Sequence, residues 1–271
     1  RRSDYYDPEK VAERLLRASA TLWYAVAAAG LWAFGLYIAA LYGVGLLGGD
    51  LGRWNRVLPE GHGYVAGDVQ GNLALGTHLA LAFIVTLGGV LQLVPQVRAR
   101  APWLHRWNGR LFLVAAVVAA TSGLFIALTR GAVAGLYMTL GNALNAALVL
   151  TFAALAWRTA RARAFVNHRR WALRLFVVIN AVWFYRLGMM LWFAAHQAPV
   201  GQTAAFDGPF DIFLAFAHVL LPLGVLELYL AAGARGGARA MGAMAALLLV
   251  LSLATAAGVL LVVMGMWLPR L

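Results

Sequence analysis

The chain has 271 residues, 63% of them hydrophobic and only 12% charged, with a mean hydropathy of +0.77. Apolar runs longer than the eighteen or so residues of a spanning helix mark a polytopic membrane protein and leave little chain for a soluble domain. The formal charge of +12 lies in short loops. It fits the positive-inside pattern and an attraction to anionic lipid, and no nucleic-acid partner is expected.

The runs are continuously apolar rather than alternating, which excludes a closed barrel. The fold expected is an all-α, polytopic membrane helix bundle with seven transmembrane helices. No cysteine is present, so disulfides, thiolate metal sites, iron–sulfur clusters and thioether haem attachment are excluded. Of the 22 basic residues only Lys10 is a lysine. An intramembrane lysine for a retinal Schiff base is therefore lacking, and seven helices do not imply a rhodopsin.

In chain order, residues 1–21 read as an N-terminal cytoplasmic arm or interfacial helix, with Asp7-Pro8 as a helix start. The stretch is polar and acidic, without a small-residue cleavage pattern, so it does not read as a secretory signal. Seven spans follow: Leu22–Leu46, Asn72–Val94, Leu111–Thr129, Leu136–Trp157, Leu173–Ala195, Pro209–Leu230 and Met241–Trp267. Residues 1–271 form a single integral membrane domain. The one long outer loop, Gly48 to Gly71, holds Trp54, Pro59, His62 and Tyr64 and is expected to lie across the outer mouth.

Loop charge sets the orientation. With the N-terminus inside, seventeen basic residues fall on the inner side against four on the outer (Arg53, Arg56, Arg130, Arg270). The outer side keeps Asp50, Glu60, Asp68, Asp207 and Asp211. The N-terminus is thus expected inside and the C-terminus outside.

Ionisable groups within a bilayer cost several kcal/mol unless paired, so each is a functional candidate. Depth sorts four histidines into an outer pair, His78 and His218, and an inner pair, His105 and His168, separated by most of the ~30 Å hydrocarbon thickness. Neutral imidazoles paired across helices can ligate a haem b, with basic residues for its propionates. They can equally hydrogen-bond a neighbouring helix. His105 and His168 precede the apolar cores of their helices, so a haem there would be shallow.

Arg186 is the costliest residue, about 27 Å along the fifth span from His168 at 1.5 Å per residue. It can snorkel to the outer interface, pair with Asp211, or form with His78 an outer pocket for a carbonyl or anionic head group such as a quinone ring. Glu227 can pair with Arg174 or Arg235, or serve as a helix-end carboxylate. Asn142, Asn145 and Asn180 read as interhelical hydrogen-bond glue, and the tryptophans, Trp267 among them, as an aromatic belt. Hydrolase triads, phosphate-cradling loops and zinc-helix motifs are absent.

Two runs carry the most specific pattern. Leu104-His105-Arg106-Trp107-Asn108-Gly109-Arg110 and His168-Arg169-Arg170-Trp171-Ala172-Leu173-Arg174 each place His and Arg at the mouth of an apolar segment, and both continue as Leu-Phe. Together with His78 and Arg186 they resemble the bacterial membrane proteins called domain of unknown function 2306. The resemblance covers residues 72–195, a four-helix core. It implies a multi-pass protein of the bacterial cytoplasmic (inner) membrane and singles out His78, His105, Arg106, Gly109, Arg110, His168, Trp171, Arg174 and Arg186. In layout only, the chain is also similar to b-type cytochromes with paired histidines near both faces.

These observations lead to two expectations. One is a haem b- or quinone-associated electron-transfer protein, with His78, His105, His168 and His218 as candidate iron ligands and Arg106, Arg110, Arg174 and Arg186 as partners for the cofactor. The other is a non-enzymatic accessory or lipid-binding subunit of a larger respiratory or membrane complex, whose His-Arg mouths grip anionic lipids. Transport, with Arg186 as an anion site, is less favoured, since only Pro222 marks a candidate helix break.

Overall fold

The computed structural model describes residues 7–58 and 60–271, and all regular structure among them is helical. Residues 1–6 of the expected arm lie outside the described residues. From Pro8 onward the arm is already the first helix, α1 (Pro8–Ile38). Pro8 opens it, and the Asp7 carboxylate accepts from the Glu9 and Lys10 N–H groups at 3.1 and 3.3 Å. This cap satisfies two of the four donors a helix start leaves free.

The first span continues through a π-helical turn, Ala39–Gly43, and the short α2 (Val44–Leu47), giving one rod of 40 residues. A 3₁₀ turn (Leu51–Arg56) leads to α3 (Val69–Leu93), α4 (Pro95–Arg100), α5 (Pro102–Thr129) and α6 (Gly135–Arg161). Then come α7 (Phe165–Ile179), α8 (Ala181–His196), α9 (Pro209–Arg235) and α10 (Ala238–Val262). A second π-helical turn, Val263–Trp267, ends the last span.

Among the described residues six helices are long and apolar enough to cross a membrane, and seven spans result if α7 and α8 count as one. That span, read in the sequence as one segment from Leu173 to Ala195, bends by 52° at Asn180. The Asn180 side chain donates to its own helix, to the Phe176 carbonyl at 2.8 Å, instead of reaching another. Asn competes in this way with backbone bonding, and here it closes α7 and restarts the helix as α8. Pro222, the expected break, lies inside an uninterrupted α9.

The helices pack as a ring: α1 against α3 and α10, α3 against α5, α5 against α6, α6 against α7 and α9, and α8 against α9 and α10. α1 and α10 run parallel along their whole length. Ala12 and Leu16 meet Met241, Met244 and Leu248 at the arginine-rich end. Trp23 Nε1 donates to Thr255 Oγ1 at 3.3 Å midway, and Phe34 and Tyr37 stack on Trp267 at the other end. Lipid is as apolar as the side chains, so small residues that allow close approach drive such packing. At Gly30 a Cβ would stand 2.8 Å from the Trp183 ring, and at Gly258 it would stand 3.0 Å from Leu187.

The long loop is fastened at the acid-bearing end, as expected for a segment lying over the mouth. Asp68 caps α3 through the Gly71 N–H at 2.9 Å and receives Arg130 Nη2 and Nε at 2.6 and 3.0 Å. Arg130 also donates to the Gly63 carbonyl and to Asn72 Oδ1, tying the loop to the α5–α6 turn. Its side chain is 7% exposed, which sets it apart from an ordinary surface pair.

The Gly71 N–H, and next the Arg130 guanidinium, hold the Asp68 carboxyl below its ordinary value of 3.8. A depressed carboxylate contributes stability above its unfolded pKa and loses it as pH falls through the lower folded value. The loop's resistance to proteolysis should therefore be constant from neutral pH down to about 4 and fall only in stronger acid. Arg130→Ala should expose the loop to cleavage at neutral pH, read by limited proteolysis of the detergent-solubilised protein.

Candidate functional site

Four buried side-chain groups that carry a hydrogen to donate lie along the interface of α1, α8 and α10 in the half nearer the acid-bearing end. Arg186 Nη1, Tyr37 Oη, Trp267 Nε1 and Trp183 Nε1 are all closed to solvent, and each lacks a hydrogen-bond partner among the described residues. Arg186 lies with its guanidinium carbon 4.8 Å above the Phe34 ring. Phe34 stacks on Trp267 at 5.3 Å, and Trp267 on Tyr37 at 5.4 Å. Tyr37, Tyr42, Tyr185 and Arg270 are within electrostatic reach of Arg186. No carboxylate forms an ion pair with it among the described residues; Asp211, expected as a partner, is engaged elsewhere.

Both π-helical turns border this cluster. In an α-helix, residues five apart sit on different faces, because each residue turns about 100°. The π turn at Ala39–Gly43 bonds i to i+5, and both Tyr37 and Tyr42 come within range of Arg186. The turn at Val263–Trp267 delivers Trp267 inward, 2% exposed, where the sequence placed it in an interfacial belt. Trp54 covers the outer side: its Nε1 donates to the Tyr42 carbonyl at 3.1 Å, and its ring tip would meet a Cβ on Gly76 at 3.2 Å. A shallow groove of about 500 Å³ begins at Met190, one helical turn from Arg186, and runs past Phe193, Ala194 and Leu261 to Gln197, Ala198 and Pro199 at the end of α8.

His78 is not part of this cluster. Its Nδ1–H donates to the Ala119 carbonyl of α5 at 2.8 Å, and the ring lies against Gly123. His218 faces the other way round the ring: its Nδ1–H donates to the Leu214 carbonyl at 2.9 Å, and its neighbours are Gly141 of α6 and Tyr185 of α8. The outer pair therefore addresses separate helix interfaces.

At the arginine-rich end His105 lies within electrostatic reach of His168, Arg98 and Arg106. His168 Nδ1–H donates to the Ala156 carbonyl at 2.9 Å, while His105 Nδ1 is buried without a partner.

Much of both His-Arg runs serves helix docking. Asn108 Nδ2 donates to the Gly88 carbonyl at 2.9 Å, and Gln92 Nε2 to the His105 carbonyl at 3.0 Å. Gly109 leaves room for the Gln92 amide. Arg110 covers Trp107 at 4.9 Å, and both are exposed, as is Arg106. In the second run Trp171 packs on Phe152 and carries Arg174 at 4.6 Å. Arg174, one of the two partners the sequence offered for Glu227, pairs with it bidentately at 2.6 and 2.7 Å, so Glu227 is more than a helix-end carboxylate.

Tyr37, Tyr42, Trp183 and Trp267 gave no site signal in the sequence. The only hint was the five-residue spacing of the two tyrosines, and π turns have no sequence signature of comparable clarity.

Residues 75–206 match the family described as predicted membrane protein (DUF2306), in agreement with the resemblance read over residues 72–195. The matched stretch runs from α3 to the loop before α9, so it includes Arg186 and both His-Arg runs. No curated protein and no solved structure matches the chain.

A Cβ at Gly141 would overlap the Ala215 carbonyl oxygen, a backbone atom that cannot swing away. Gly141→Ala should destabilise the bundle by about 1–3 kcal/mol, the usual cost of overpacking. Gly224→Ala, with open space around it, should be neutral or slightly stabilising. Thermal unfolding in detergent separates the two.

Proposed function

Taking the DUF2306 segment as the part that supplies Arg186, and α1 and α10 as the parts that supply the donors around it, we propose that the protein binds the carbonyl-bearing head group of a membrane quinone and takes part in electron transfer. One observation carries this reading: four buried groups with hydrogens to give, one of them a guanidinium, line one helix interface without an acceptor. An unsatisfied buried donor costs about 1–3 kcal/mol, and more when charged. A ligand with two acceptor oxygens relieves that cost and gains from the dry surroundings, where charge-assisted bonds are strong.

Arg186 and Trp267 are the donors for a carbonyl oxygen, and Tyr37 can donate or accept. The apolar part of the groove, at Met190 and Leu261, suits a tail. A bound quinone supplies two-electron, two-proton redox chemistry. Trp54 and the loop fastened by Arg130 keep water from the donors on the outer side. With the arginine-rich end in the cytoplasm, as loop charge indicates, the site lies toward the outer face of a bacterial inner membrane.

The haem version of this reading rests on His105 and His168, which lie within electrostatic reach of each other. It requires a Soret band that His105→Ala and His168→Ala abolish. A second reading, an accessory subunit gripping anionic lipid, is favoured by nine exposed arginines between Arg98 and Arg170, none in an ion pair among the described residues. It predicts phosphatidylglycerol co-purification that weakens steeply with salt.

Trp183 and Trp267 make the quinone site self-reporting. A short-chain quinone added to the detergent-purified protein should quench tryptophan fluorescence saturably. Arg186→Gln should weaken binding by about 10- to 100-fold, the loss expected for a charged hydrogen bond, and Tyr37→Phe by less. Saturable quenching that Arg186→Gln leaves unchanged, or none in the wild type, removes the proposal.

A further inference from the structure

On the opposite face of α8 from the donor cluster, the unpartnered atoms are acceptors. Asp211 is 7% exposed and His218 3%. Asp211 Oδ2 accepts from the Thr203 and Gly208 N–H groups at 3.0 and 3.2 Å, yet its Oδ1 is buried with no partner. Two turns further along α9, His218 Nδ1–H donates to the Leu214 carbonyl. That bond fixes the tautomer, so the lone pair sits on Nε2, which is buried and receives no donor. Asn145 Oδ1 is likewise unpartnered, one turn along α6 from the Gly141 that touches His218 Cε1. Pro222 has no N–H to offer the His218 carbonyl four residues before it.

Rotating these groups cannot satisfy them. Turning the Asn145 amide supplies donors at that one residue and leaves the Asp211 oxygen untouched. Asp211 and His218 are about 10 Å apart along the helix, so no single ion spans both. Several waters in file would, since each donates twice and water settles in polar sites where several groups lack partners. Tyr185 stands between them. Its ring meets His218 edge-on at 5.8 Å, and it is within electrostatic reach of Asp211 on one side and Arg186 on the other. Among the described residues no charged side chain of α6, α7 or α10 comes within electrostatic reach of the His218 ring. Tyr185 is the titratable group that faces it from α8.

We propose that His218 is a buried proton-accepting site, reached from the acid-bearing end of the bundle by water held along Asp211 and Tyr185. In each uptake an O–H bond of a hydronium ion from solvent breaks, the proton passes along the waters that Asp211 Oδ1 holds by accepting from them, and an N–H bond forms at His218 Nε2 to give an imidazolium. The imidazolium returns its proton to water by the same path, which restores the Nε2 lone pair for the next uptake. The Nδ1–H bond to Leu214 stays in place throughout and holds the ring. This role goes beyond quinone binding and does not need it.

Deuterium exchange at the histidine Cε1 position, followed by mass spectrometry on the detergent-purified full chain without quinone, tests the proposal. From about pH 5 to 9 His218 should show a sigmoidal exchange profile despite its burial. Asp211→Asn and Tyr185→Phe should each slow it by about tenfold, with His78 and the exposed His196 unchanged as internal controls. A flat wild-type profile at His218 overturns the proposal, and so does a profile that both variants leave unaltered. Should a variant unfold, His78 will accelerate with the rest, and the wild-type profile then decides alone.

Discussion

The bilayer offers no water to a stranded polar group, and the rest of this structure answers to that constraint. Backbone groups meet it by forming helices. Side chains meet it by bonding carbonyls of a neighbouring helix or of their own. His78 reaches Ala119, Asn108 reaches Gly88, His168 reaches Ala156 and Asn180 reaches Phe176. Such bonds contribute modestly in a membrane, about 0.6 kcal/mol on average. Their greater effect is to fix which faces of the helices meet. Against that background, unpaired groups at Arg186, Tyr37, Trp183 and Trp267 stand out as unresolved costs along one helix interface.

Composition and periodicity were enough for the membrane class and the spans, because a run of twenty apolar residues has few alternatives in water or lipid. Loop charge sorted the arginine-rich end from the acid-bearing end for the same reason: the arginines sit at helix mouths. The Arg174–Glu227 pair was also readable, since the two charges fall at matching depths on adjacent spans. Local backbone choices were not legible. Asn180 looks like any membrane amide until its side chain turns back on its own helix, and Pro222 looks like a break although α9 passes through it. The π turns at Ala39–Gly43 and Val263–Trp267 leave no pattern, yet they decide that Tyr42 and Trp267 point inward.

The site followed the same division. Arg186 was visible as a charge in an apolar run, and a single intramembrane cation is a strong signal by itself. Its partners were not visible, because Tyr37 and Trp267 lie 149 and 81 positions away and converge only through the parallel packing of α1 on α10. His78 and His218 were visible as residues but not as neighbours. Depth along a span follows from the sequence, whereas rotation about the helix axis depends on partners the sequence does not name.

The bend at Asn180 ties these features together. A straight span would carry α8 on along the line of α7, which packs on α6 and α9. The 52° turn instead sets α8 between α9 and α10, with Trp183 against Gly30 and Arg186 over Phe34 on one face and Tyr185 beside His218 on the other. Consecutive residues of one helix therefore border two polar sets of opposite character, donors toward α1 and α10 and acceptors toward α6 and α9. Tyr185 is the residue that borders both sets, edge-on to the His218 ring at 5.8 Å and within electrostatic reach of Arg186. A straight span would rotate the residues after Asn180 to other neighbours, so the bend decides that one helix serves both interfaces.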